Sequence, residues 1–144
     1  MSKVKSILDG SRPPGVYRFA TRASARVVRS QLGEEGWRVF YLDGVGQGIT
    51  DKASFFAACA EVMEFPDYFG KNWDAFEECL TDLSWAKADG YVVLFDKAGP
   101  FEAISPQDWR TAMDIFGQAV KSWHEAGKSM YVLLRDVKTV TQTL

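Results

Sequence analysis

Hydrophobic positions along the chain alternate between two periods. Short apolar runs at 37–42 (Trp-Arg-Val-Phe-Tyr-Leu), 91–95 (Tyr-Val-Val-Leu-Phe) and 130–134 (Met-Tyr-Val-Leu-Leu) are rich in β-branched and aromatic residues and read as strands. The run 16–19 adds a short fourth candidate at an edge. Between them the apolar residues recur every three or four positions, the spacing of a helix that buries one face. Ala25, Val28 and Leu32 form the stripe of a helix over 21–35 that Thr21 can cap and Gly36 closes. Phe55, Phe56 and Cys59 mark a helix from Thr50 or Asp51 to about Met63, which Pro66 keeps from continuing. Trp73, Phe76, Leu80 and Leu83 define a helix capped by Asn72, with Gly70 allowing a close approach just before it. Trp109, Met113, Phe116, Val120 and Trp123 define the longest helix, with Ser105 as cap, Pro106 in the first turn and Gly127 as stop.

Strands alternating with helices imply right-handed crossovers and a small parallel sheet of three or four strands packed with helices, an α/β fold. Residues 1–14, ending in Arg12-Pro-Pro14, read as a flexible leader. Residues 15–136 read as one domain, with 15–36 an N-terminal extension of its core. The polar residues 137–144 read as a mobile tail.

The polar face of the helix after Asn72 changes this picture. Asp74, Glu78 and Asp82 are spaced by four and stack along one side, with Glu77 beside them. Like charges at this spacing repel by a few tenths of a kcal/mol per pair. The row costs the fold a little, and a cationic partner would remove that cost. A solvated helix face is the plain alternative. Against it stand the density of the row and the aromatic turn Phe65, Tyr68 and Phe69 that precedes it.

The run Phe65-Pro-Asp-Tyr-Phe-Gly70, then Asn72-Trp-Asp74, then Cys79-Leu-Thr81 resembles the signature of the barstar family of small ribonuclease inhibitors. Family-like sequence extends from about Trp37 to Asp136. The resemblance implies that this turn and helix fill the active site of a basic, barnase-like ribonuclease or other nuclease toxin, carboxylates standing in for RNA phosphates. It implies contact positions at Tyr68, Gly70, Asn72, Asp74 and Glu78, and the acidic row adds Glu77 and Asp82. The chain departs from the family pattern at three places. Glu78 replaces an aspartate, a methylene longer by about 1.5 Å. Glu77 replaces an exposed tryptophan, and Ser122 stands where an acidic contact is usual.

Charge sharpens the expectation. Residues 1–38 hold eight Lys or Arg against three acids, a net of +5, whereas 39–144 hold nine against sixteen, a net of -7. Within 61–82 seven acids meet one base, Lys71, a net of -6. Such a segment attracts basic proteins and repels nucleic acid. Cys59 and Cys79 fall inside helices and read as buried free thiols rather than a disulfide framework. No apolar run approaches the roughly 18 residues of a membrane span, and the first residues lack a signal-peptide core, so a cytoplasmic monomer is expected.

Catalysis is disfavoured. Two acids on one exposed helix face point the same way, whereas a glycosidase pair flanks its bond from opposite sides. His124, the single histidine, sits near a helix end where a capping or partly buried role suffices. Neither cysteine has a matched histidine, and Cys/His spacing for a metal is lacking. Asp43-Gly-Val-Gly-Gln-Gly48 lacks the order of a phosphate loop. The sequence thus predicts an antitoxin-like inhibitor with no catalytic residue, cofactor or metal. An acidic adaptor for a different basic partner is the alternative. Arg18, Arg22, Arg26 and Arg29 form a basic patch that reads as a solvated face, a counter-charge for the acidic helix, or a weak nucleic-acid or partner contact.

Overall fold

The computed structural model of the chain describes residues 3–144. Four parallel strands form a single sheet in the order β1-β4-β3-β2, with β1 at Val16–Arg18, β2 at Trp37–Asp43, β3 at Gly90–Asp96 and β4 at Ser129–Leu134. The chain runs from one edge to the other between β1 and β2, then steps back one strand at a time. Trp37 registers with Gly90, and Gly90 with Ser129, so the three long strands start level. A side chain at Gly90 would strike the Trp37 ring at 2.4 Å, which is why the strand opens with glycine.

Helices cover both faces, and this explains the unbroken apolar runs, since a parallel sheet buried on both sides has no solvent face to keep polar. On one face Phe40, Leu42, Val93, Phe95, Val132 and Leu134 meet α3 (Lys52–Val62), α4 (Trp73–Asp82), α5 (Gly99–Ile104) and α6 (Pro106–Glu125). On the other, Val92, Leu94, Tyr131 and Leu133 meet α1 (Lys3–Leu8) and α2 (Ala25–Gly33). Phe55 of α3 is the hub of the larger layer, with ring centroids 5.2 Å from Phe76, 5.1 Å from Phe101 and 6.1 Å from Phe116.

Several local expectations need correction. Ser24, not Thr21, caps α2: its hydroxyl accepts from the Val27 N–H, and the helix begins at Ala25. Ser105 does hold the N-cap position of α6 but makes no side-chain cap, because its hydroxyl donates to the Thr50 carbonyl and so ties α6 to the start of α3. Residues 1 and 2 of the expected leader lie outside the described residues. The remainder departs from a flexible leader: Val4 and Ile7 face the same way from α1 and are 4 % and 1 % exposed. The carbonyl of Arg12 accepts from the Tyr131 hydroxyl. The expected tail is likewise held. The Arg18 N–H donates to the Gln142 carbonyl at 2.7 Å, the Leu144 N–H donates to the Arg18 carbonyl at 2.9 Å, and the Leu144 side chain is buried. Upstream, the Glu102 carboxylate accepts from the Lys138 and Thr139 N–H groups. Backbone groups do this anchoring, so a polar sequence does not announce it.

Candidate functional site

The acidic helix is placed by what surrounds it. Met63 closes α3, and Glu64 then takes a left-handed φ of 56° that turns the chain. In the turn that follows, Phe65 and Phe69 point inward with centroids 5.0 Å apart, and Phe69 meets Phe56 edge-on at 5.5 Å. Tyr68 between them is pushed out and is 65 % exposed. An aromatic left in water beside two half-buried neighbours is the shape of a contact residue.

The conformational freedom expected at Gly70 is used one residue later. A Cβ at Gly70 would sit 3.4 Å from Asn72 Nδ2, an ordinary contact, whereas Lys71 adopts φ 54°. A non-glycine residue held there stores roughly 1–2 kcal/mol of strain. Asn72 then fixes the start of α4, its Oδ1 accepting from the Ala75 N–H at 2.8 Å. Trp73, Phe76, Cys79 and Leu80 turn to the core, and the Trp123 indole donates to the Leu80 carbonyl at 3.1 Å, tying α4 to α6.

Fixing the inner face fixes the outer one. Asp74, Glu77, Glu78 and Thr81 form one wall of a groove of about 500 Å3 between α4 and α6. The other wall comes from Gln118, Lys121, Ser122 and Glu125 of α6. Ser122 therefore does face the acidic row. The structure adds Glu125 one turn beyond it and Lys121 beside it, neither of which the sequence reading singled out. Their i, i+4 spacing along α6 is the signal that would have found them. Asp82 lies off the groove toward the turn, where its Oδ2 accepts from the Tyr68 hydroxyl at 3.4 Å. Loss of hydration, then the charge of Asp82, pushes the Tyr68 phenol above its usual range, with Cys79 and Glu78 adding to the rise.

Among the described residues the ion pairs are Arg38–Glu64 at 2.6 Å and Arg135–Asp96 at 3.1 Å, so none of Asp74, Glu77, Glu78 and Asp82 is paired. The basic patch does not answer them either. Arg22, Arg26 and Arg29 are exposed on or beside α2, across the sheet from α4. Intramolecular counter-charge is thereby removed as an explanation of that patch. His124 is exposed in the last turn of α6. Both cysteines are free and buried, and burial pushes the Cys59 thiol well up. Among the described residues no cluster of three or more His, Cys, Asp or Glu is set to hold a metal ion, and no helix is long and apolar enough to cross a membrane.

What this arrangement can do chemically is present anionic oxygens, in a row and without ion-pair partners, beside an exposed phenol. A family model described as Barstar (barnase inhibitor) matches residues 37–135, which include the turn, α4 and α6. No curated protein matches the chain. The family match spans well over half of the sequence and contains the whole of the acidic groove, and the chain belongs to the barstar family.

Proposed function

We propose that the chain inhibits a ribonuclease by setting the Tyr68 turn and the carboxylates of α4 into its basic substrate cleft. The observation that carries this reading is the unpaired row of α4, held by a buried inner face and bordered by the exposed Tyr68. A cleft that holds RNA phosphates offers arginine, lysine and histidine at fixed spacing. Asp74 and Glu78 are one helical turn apart and present oxygens to such a cluster, while Glu77 and Asp82 widen the negative field. Asn72 fixes the helix start, and Gly70 keeps the approach to it free of a side chain. Glu125 supplies a further carboxylate from the opposite wall, in the neighbourhood where Ser122 lacks one. The protein performs no reaction in this role and needs no cofactor.

The test is inhibition of a barnase-type ribonuclease, and of any nuclease retained from lysate, by wild type and by variants. Association is expected to be fast and to slow as salt rises, because steering is screened beyond a Debye length of about 8 Å at physiological ionic strength. Glu78→Ala is expected to cost about 2–5 kcal/mol of binding, the range for truncating one partner of a desolvated interfacial charge pair. Arg22→Ala, across the sheet, should leave affinity unchanged. An inhibitor whose potency survives Asp74→Ala combined with Glu78→Ala binds through another surface.

A further inference from the structure

Beside the acidic face lies a concavity of opposite character. It encloses about 400 Å3 between α3 and the 65–72 turn, with Phe56 and Phe69 for a floor and Ala53, Ala57 and Ala60 along one wall. The three alanines recur at i, i+4 and i+7, so one side of α3 is cut back to methyl groups and the groove is left deep over two aromatic rings. Its charged residues are Lys52, at the first position of α3, and Lys71, the strained residue directly before the α4 cap. Neither lysine has an ion-pair partner among the described residues. Lys71 is also the single base within the strongly acidic stretch 61–82.

Against a uniformly basic cleft these lysines would be a liability. Their repulsion is relieved where the partner sets a carboxylate against them, and such an arrangement discriminates between partners rather than adding only attraction. The groove is also within reach of anything seated on α4. A ten-residue helix is about 15 Å long. A stable interface covers about 800 Å2 on each partner, far more than one face of such a helix provides. Phe69 follows Tyr68 directly, so a body resting on the Tyr68 ring overhangs the groove that Phe69 floors.

We infer that this groove is a second, oppositely charged subsite of the inhibitory surface, taking one apolar side chain of the bound ribonuclease that has a carboxylate neighbour. The inference rests on the inhibitor reading above. The acidic row gives general affinity for basic clefts, and the groove selects among the enzymes that carry them.

Two variants test it against the ribonuclease that the wild-type chain inhibits, beginning with a barnase-type enzyme. Ala57→Trp fills the groove from an exposed helix position, and its fold is checked by circular dichroism and thermal melting. Lys52→Glu with Lys71→Glu reverses the rim and takes the formal charge from -2 to -6, each change subtracting two. Steering alone would make this more acidic chain associate faster and bind more tightly. Each variant is expected instead to bind at least tenfold more weakly, chiefly through faster dissociation. Unchanged or tighter binding by both folded variants, with Glu78→Ala still weakened, would overturn the groove and leave the inhibitor reading standing. A wild-type chain that inhibits no ribonuclease would remove the inhibitor reading, and the groove with it.

Discussion

At the residue scale, the site depends on two positions whose neighbours leave them little choice. Tyr68 points outward while Phe65 and Phe69, on either side of it, pack half-buried against the core, and its hydroxyl then finds Asp82 fourteen residues on. That contact can be read in solution. Tyr68 is expected to ionise above the usual tyrosine range, from lost hydration and from the carboxylates around it. Asp82→Asn should bring the transition part of the way down, as followed by ultraviolet absorbance with Tyr68→Phe identifying the signal. A Tyr68 transition that Asp82→Asn leaves unmoved would mean that the phenol does not feel Asp82. The acidic residues of this site were legible in the sequence because helical spacing alone puts Asp74, Glu78 and Asp82 in a row. Lys71 was not legible as the strained position, since glycine next to it is the usual bearer of a left-handed φ. The backbone places the bend one residue later.

At the scale of elements, α4 separates scaffold from site by face. Phe76 is fully buried among Phe55, Phe65 and Phe116, and Phe76→Ala should cost about 3–5 kcal/mol of folding stability in denaturant titrations. Glu78→Ala should be neutral or slightly stabilising, because it relieves repulsion from Asp74 and Asp82. Asp74→Ala should fall close to zero, since the lost attraction of a first-turn acid for the helix dipole offsets the same relief. Acidic substitutions that unfold the protein would show those carboxylates to be structural. The long strands and α3, α4 and α6 could be read from pattern because each has its own run of apolar residues and its own start or stop signal. The six-residue α1 and α5 carry too few periodic positions to register. Ser105 misled because it sits where a cap should be while its hydroxyl serves Thr50, a partner remote in sequence.

For the whole molecule, the family match begins at Trp37 and leaves out α1, β1 and α2, yet these supply an entire layer. Without them Val92, Leu94, Tyr131 and Leu133 would face water, a large apolar surface for one domain. Leu32, on the fully buried face of α2, tests this: Leu32→Ala should cost about 2–5 kcal/mol of stability and leave the proposed ribonuclease affinity unchanged, because α2 lies across the sheet from α4. A change of less than about 1 kcal/mol, the size of many surface substitutions, would mean that this layer is only loosely attached. Strand order could not be read locally, since pairing β1 with β4 joins residues more than a hundred positions apart. The hydrogen bonds from residues 142–144 along β1 have a consequence for recognition. The outer edge of a sheet ordinarily offers free N–H and carbonyl groups on which another chain can lay a strand. Here that edge is already taken by residues 142–144 of the same chain, with Thr143 bridged to Arg18. Partners arriving on this side meet side chains rather than open backbone, and cannot bind by extending the sheet.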